Sequence, residues 1–178
     1  MKELALHIQD IAENSVRAGA ALIEIQVTED ARADRLTVSI VDNGCGMDQE
    51  TAARALDPFF STKDVRKVGM GLSLFQQAAR RAGGDMVLHT EKGAGTRVVA
   101  YFQRSHIDRQ PLGDMAATIT AILLQNPAVE VVFCHATDDD EFRFDTRELR
   151  TILDDVPLSD PEVLRFISGL IRERRHLT

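Results

Sequence analysis

The chain has 178 residues, of which 44% are hydrophobic, enough for one domain with a substantial extension. No apolar run is long enough for a membrane span and no secretory signal is visible, while two distant cysteines without a CxxC favour a reducing cytoplasm. The net charge is −7, but residues 1–104 contribute only −1 and residues 105–178 contribute −6. The acidity of the C-terminal part argues against bulk nucleic-acid binding there.

The first predicted elements are an amphipathic helix over 3–18 and two strands. One stripe of apolar or small residues recurs at spacings of three and four in the helix: Leu4, Ile8, Ile11, Ala12 and Ser15. Gly19 suits the C-terminal cap of this helix. Alternation of period two predicts strands over 23–27 and 36–41. Asp42 has the same parity as the apolar residues of the second strand, so it should face the buried side and need a partner there.

The next predicted elements complete a two-layer fold. Because short turns join the strands, we expect mostly antiparallel pairs with helices on one face, which is an α/β two-layer sandwich. The predicted elements are a helix over 48–56 with Asp48 as N-cap, an irregular segment over 57–68, a helix over 70–81, and strands over 85–90 and 96–102 around a turn at Gly93–Gly95.

A second unit begins near Ser105. We therefore expect one domain over 1–103 and a small acidic α+β extension over 104–178, with an interaction role. The apolar face of its first helix should pack on the first domain or against another chain. Its predicted elements are helices over 113–125, 146–153 and 160–175 and strands over 129–135 and 142–145.

Four segments carry side chains suited to nucleotide chemistry. The first places Asp10, Asn14 and Arg17 along one side of the first helix, where they suit a water, a Mg²⁺ ion and a phosphate. Alone, such a row is more often a solvated polar face. The second is Asp42–Met47, in which Gly44 and Gly46 allow a ligand to approach the backbone closely, although a plain turn is an equal alternative.

The third and fourth segments add an anion site and a strand threonine. Lys63 precedes Gly69 and Gly71, which open a helix whose backbone N–H groups can hold phosphates. Thr96 follows the glycine turn and enters its strand with inward parity.

In this order and spacing, the segments resemble the N, G1, F, G2 and G3 boxes of the GHKL ATPases, over residues 1–103. Residues 56–102 look most like a histidine-kinase catalytic domain, and the helix with Glu13-Asn14-Ser15 looks more like the mismatch-repair ATPase. The resemblance implies the Bergerat fold, with ATP and Mg²⁺ as cofactors. Asp42 would then accept a hydrogen bond from the adenine amino group, and Asn14 would ligate the Mg²⁺. The implied ATP-binding residues are Asn14, Arg17, Asp42, Gly44, Gly46, Met47, Phe59, Lys63, Gly69, Gly71, Leu72 and Thr96.

Two departures from the family pattern bear on activity. Members that hydrolyse ATP have a glutamate where this chain has Asp10, so Asp10 is a candidate base with a shorter reach. The lid has Lys67 and Val68 where histidine kinases usually have a glycine and a threonine, which could alter nucleotide exchange.

A histidine kinase usually carries a phosphoacceptor hairpin before its ATP domain, and because this sequence starts directly at that domain we expect a chain without the hairpin. Ser105–Leu112 resembles the phosphoacceptor box, with His106 in the acceptor position, but it follows the ATP domain, so a linker is the default interpretation. The other histidines are isolated and are expected to be surface or structural residues.

Three functions remain open at this point. The leading one is a stand-alone Mg-ATP-dependent kinase of histidine-kinase type acting on a separate protein. The second is a nucleotide-gated binding module without turnover, and the third is a slow ATPase that uses Asp10. We expect a protein partner or substrate, no nucleic acid and no membrane, and a homodimer is an open possibility.

Overall fold

The computed structural model describes residues 2–57 and 70–175. Within these ranges the helices and strands occur in the order that the hydrophobic periodicity predicts, with ends that differ by a few residues. They are α1 (Leu4–Arg17), β1 (Leu22–Asp30), β2 (Arg35–Asp42), α2 (Gln49–Leu56), α3 (Met70–Arg81), β3 (Asp85–Glu91), β4 (Gly95–Gln103), α4 (Met115–Gln125), β5 (Glu130–Ala136), β6 (Glu141–Asp145), α5 (Thr146–Leu153) and α6 (Pro161–Arg175).

Helix α1 is fixed at both ends by backbone contacts. The N–H groups of Leu4 and Ala5 have no acceptor within the helix, and they donate to the carbonyls of Pro111 and Leu112 at 3.0 and 2.8 Å. Gly19 ends the helix with φ +75°, a conformation that glycine adopts without strain. The buried side of α1 carries the predicted stripe and two further residues: Leu4, Ala5, His7, Ile8, Ile11, Ala12 and Ser15.

The strands form one mixed sheet in the order β3-β4-β2-β1-β5-β6. Every neighbouring pair in it is antiparallel except β1 and β5, which run parallel. The expected two-layer α/β sandwich with a mostly antiparallel sheet is therefore confirmed. None of the helices in the described ranges has the length and apolar composition needed to cross a bilayer.

The C-terminal part of the chain adds two strands to this same sheet. Strand β5 pairs with β1 from Leu22 opposite Glu130 to Thr28 opposite Ala136. A parallel neighbour requires a crossover connection, which α4 provides between β4 and β5. The domain boundary at 103/104 stays a prediction, but the backbone ladder runs without a break across β1 and β5.

Helix α4 packs between α1 and α6 and contributes to the common core. Its predicted apolar face is fully used, since Met115, Ile119, Ile122 and Leu123 are all buried. Of the two expected places for this face, the structure shows the first, against the N-terminal part. Each such side chain stabilises the fold by roughly 1.5–3 kcal/mol.

Candidate functional site

Asp42 ends β2 with its carboxylate on the buried side, as the alternation of the strand predicts. It is 8% exposed. The hydroxyl of Ser15 donates to Oδ2 at 2.5 Å, and the backbone N–H of Gly44 donates to Oδ1 at 2.9 Å. No cation in the described part of the chain pairs with this carboxylate. A buried carboxylate held by only two donors has acceptor positions left for a hydrogen bond from a ligand.

The loop after Asp42 is held in place by backbone contacts on both sides. Gly46 has φ +62°, and a Cβ there would lie 1.9 Å from the carbonyl oxygen of Glu91, so only glycine fits. On one side Cys45 donates its N–H to Ala18 at 2.8 Å, and on the other its carbonyl accepts from Gly93 at 2.7 Å. These bonds attach the loop both to the end of α1 and to the β3–β4 turn.

Two threonines of the β3–β4 hairpin complete this end of the sheet. Thr96 lies directly opposite Asp42 in the β2–β4 ladder. Its hydroxyl is 3.1 Å from the hydroxyl of Thr90, which also accepts the N–H of Met47 at 2.9 Å. Thr90 has no counterpart in the predicted site, because its role depends on which strand lies next to it.

These elements enclose a cavity of about 260 Å³ that opens beside Asp42. Seven residues predicted to bind ATP line it: Asn14, Arg17, Asp42, Gly46, Met47, Leu72 and Thr96. Gly44 and Gly71 lie next to lining residues without facing the cavity, whereas Phe59, Lys63 and Gly69 lie outside the described residues. Ile11, Ser15, Ala18, Cys45, Thr51 and Val98 also line the cavity and were missed.

The polar row on α1 is arranged as its spacing predicts. Arg17 donates from Nη1 to Asn14 Oδ1 at 2.9 Å, and its Nη2 lies 3.3 Å from Glu13 Oε2. Further along the same side, Asp10 packs against Gly71 of α3, where a Cβ would lie 2.1 Å from Asp10 Oδ2. The glycine therefore allows α3 to approach the acidic end of this row.

The residues present fit a magnesium ion that takes most of its ligands from phosphates and water. Asn14 Oδ1 lies at the cavity wall and already accepts from a cationic group, Arg17. The described residues contain no cluster of three or more His, Cys, Asp or Glu that could hold a metal alone. Mg²⁺ commonly binds through one or two protein oxygens together with substrate phosphates, which matches this donor set.

His106 lies at the opposite end of β4 from the cavity. The seven residue steps from Thr96 to Gln103 span roughly 23 Å at about 3.3 Å per residue. The segment around His106 is anchored there by Asp34, whose carboxylate accepts from Ser105 and from Gln103. The ring nitrogen Nδ1 of His106 accepts the N–H of Asp108 at 3.1 Å. This geometry favours the linker interpretation over phosphoryl transfer to His106 within one chain.

The fold and the cavity together define a nucleotide-binding ATPase domain of the Bergerat type. A family model described as "Histidine kinase-, DNA gyrase B-, and HSP90-like ATPase" matches residues 2–106, which is more than half of the chain. The chain belongs to this family.

Relatives come from both branches that the motifs indicate. The chain is 38% identical over 89 residues to the sensor protein kinase FleS of Pseudomonas aeruginosa, covering 50% of this chain and 22% of FleS. It is 38% identical over 56 residues to the DNA mismatch repair protein MutL of Chlorobaculum parvum, covering 32% of this chain and 8% of MutL. The chain thus spans less than a quarter of either relative.

A solved structure titled as the N-terminal domain of a DNA repair protein shares the fold. Its TM-score is 0.53 at 16% sequence identity, and the match covers 80% of this chain and 52% of that one.

Proposed function

We propose that this chain binds Mg-ATP in the cavity beside Asp42 and transfers the γ-phosphoryl group to a separate protein, in the manner of the histidine protein kinases. The observation that carries the proposal is the state of Asp42. Its buried carboxylate has no cationic partner among the described residues. Asp42 also lines the cavity and lies opposite Thr96 in the β2–β4 ladder. This arrangement suits recognition of an exocyclic amino group.

The polar groups at the α1 side of the same cavity suit the triphosphate. Asn14 would provide one oxygen to Mg²⁺, and Arg17 would turn from Asn14 toward a phosphate oxygen. When bound, Mg²⁺ would supply charge neutralisation at the phosphates. Positioning and charge neutralisation provide most of the catalysis in phosphoryl transfer, so this site would need few further groups.

A separate acceptor is supported by the position of His106. That residue and the cavity lie at opposite ends of β4, so the acceptor group would come from another protein. The acidic C-terminal part, with a net charge of −6 over residues 105–178, would then be the region that distinguishes this chain from other kinase domains in its choice of partner.

A slow ATPase is the second candidate, and Asp10 is the observation that favours it. Its half-buried carboxylate lies against Gly71 and makes no hydrogen bond or ion pair to any described residue. A carboxylate in that position could accept a proton from a water that attacks the phosphate.

Incubation with γ-labelled ATP, with the chain alone and with a cell extract, separates these functions. We expect the label to appear on a protein when the native chain is used, and no protein to be labelled when the Asp42→Asn variant is used instead. Free phosphate that disappears in Asp10→Asn would favour the ATPase. Tight ATP binding with neither signal would favour a nucleotide-gated binding module, and failure to bind ATP at all would overturn all three.

A further inference from the structure

A second and larger cavity lies two turns before Asn14 along α1. It encloses about 520 Å³, between α1, α3 and the segment that connects β4 to α4. Polar and charged side chains dominate its walls: His7 from α1, Gln77 and Arg81 from α3, and Asp108 and Gln110 from the connecting segment. Cavities of this size hold small molecules in many proteins.

Hydrogen bonds hold in place the connecting segment that forms one wall of the cavity. Pro111 and Leu112 accept the first free N–H groups of α1, at 3.0 and 2.8 Å. Arg109 donates from Nε to the carbonyl of Arg104 at 2.6 Å and from Nη1 to the carbonyl of Gln110 at 3.2 Å. The cavity is therefore lined by ordered backbone on one side and by two packed helices on the other.

His7 is a buried polar group with unused hydrogen-bonding capacity. It is 3% exposed and stacks on Phe75 with ring centroids 5.4 Å apart. Burial lowers the pKa of its imidazole. Its Nε2 lies 3.1 Å from Gln110 Oε1, so Nε2 carries the proton and Nδ1 is an acceptor. Among the buried side-chain nitrogen and oxygen atoms of the described residues, only Nδ1 of His7 has no hydrogen-bond partner.

Two opposite charges at the cavity also lack partners. Arg81 and the Asp108 carboxylate form no ion pair or hydrogen bond within the described residues. The neighbouring Arg80 is different, because its Nε lies 3.0 Å from Asp85 Oδ1. The exposed guanidinium of Arg81 and the exposed carboxylate of Asp108 therefore belong to one set of lining residues, beside the buried imidazole of His7.

We propose that this cavity binds a small zwitterionic molecule of the amino-acid class. Its carboxylate would pair with Arg81, which can hold a carboxylate through two parallel hydrogen bonds. Its ammonium group would face Asp108, and the amide of Gln77 would contact its side chain. A purely anionic ligand such as a phosphate would be repelled by Asp108, and an apolar ligand would displace water from these charged groups without replacing its hydrogen bonds.

Thermal unfolding of the full chain with each of the twenty common L-amino acids in turn tests this proposal, followed by calorimetric titration of those that stabilise it. Stabilisation by ligand follows from preferential binding to the folded state. The expected result is that at least one free amino acid binds, and that its N-acetyl and methyl ester derivatives do not.

Variants at the charged residues locate the site. Arg81→Gln and Asp108→Asn should each weaken that binding by about tenfold or more, whereas Arg80→Gln, a matched control next to the cavity, should leave it unchanged. Binding of ATP serves as the folding control for all three, and it separates failure here from failure of the proposed nucleotide site.

Three outcomes would overturn the proposal. One is that none of the amino acids stabilises or binds the chain. Another is that acetate stabilises it as strongly as the best amino acid, which would mean a general anion site. The third is that binding persists unchanged in Arg81→Gln.

Discussion

Asp42 and Asp145 are two buried carboxylates at strand ends, one in each part of the chain, and they are satisfied in different ways. They are 8% and 5% exposed. Asp145 contacts two guanidinium groups, with Arg143 at 2.6 Å and Arg147 at 2.7 Å. Within the described ranges, Asp42 has one hydroxyl and one N–H as donors and no cation. A carboxylate that the protein neutralises by itself has a structural role, whereas we propose that one without a counter-charge among the described residues, beside a cavity, serves a ligand.

The two carboxylates also differ in what holds them in position. Side-chain charges surround Asp145, while tight backbone contacts shape the loop that follows Asp42. Gly46 and Gly95 both have positive φ, and at each a Cβ would lie about 2 Å from a carbonyl oxygen of a neighbouring segment. A substitution that displaces the backbone should therefore affect the Asp42 region more than the loss of any one side chain.

The largest effect is expected for Gly46→Ala. A left-handed conformation without glycine costs about 1–2 kcal/mol, and overlap with backbone adds about 1–3 kcal/mol. We expect the free energy of unfolding to fall by about 3 kcal/mol, measured by denaturant titration. Gly93→Ala is the matched control, because Gly93 has φ +88° but nothing within 4 Å of an added Cβ. It should cost only about 1 kcal/mol, and equal losses in the two variants would show that the close approach is unimportant.

Asp42→Asn should weaken ATP binding by about 10- to 100-fold, since a hydrogen bond to a charged group contributes about 1.5–3 kcal/mol. Isothermal titration with ATP measures this change. Asp145→Asn serves as the control and should bind ATP as the native chain does. If Asp42→Asn bound ATP with native affinity, Asp42 would not be the adenine-recognition residue.

Asp145→Asn should instead reduce stability. Hydrogen bonds from Arg147, the largest cause, and from Arg143 lower the pKa of Asp145 from 3.8 to about 2. The lowered pKa means that the stabilisation is fully present above pH 3.8 and is lost as the pH falls toward 2. At neutral pH the variant should lose about 2 kcal/mol in free energy of unfolding. Its stability should also fall less steeply between pH 4 and 2, and an unchanged acid limb would contradict the assignment.

The smallest effect is expected for Ser15→Ala, which removes one of the two donors to Asp42. ATP affinity should fall by about fivefold, equivalent to about 1 kcal/mol. Thr118→Ala is the matched control, because Thr118 is equally buried and donates to the carbonyl of Ala5 at 3.3 Å, away from the cavity. The control should lose stability without losing ATP affinity, and equal ATP affinity in both variants would mean that Ser15 does not position Asp42.

Much of the fold and part of the candidate site could be predicted because the signals are local. The periodicity predicts α3 over 70–81 and α5 over 146–153 with the ends that the structure has. Alternation along β2 predicts that Asp42 is buried, and helical spacing predicts that Asp10 and Asn14 share a side of α1. Helical spacing places Ser15 in the apolar or small stripe of α1. The sequence around Ser15 does not indicate that its hydroxyl donates to a carboxylate from β2.

The order of residues by itself determined the elements, the parity of Asp42 and the glycine positions that resemble the family boxes. Each of these depends only on neighbours along the chain, where the periods of helix and strand apply. Tertiary structure alone decided that β5 lies beside β1, that Ser15 and Thr96 meet Asp42, and that Arg81 and Asp108 share a cavity. Those contacts join residues far apart in sequence, and they depend on how the crossover through α4 and the packing of α1 on α3 bring the elements together.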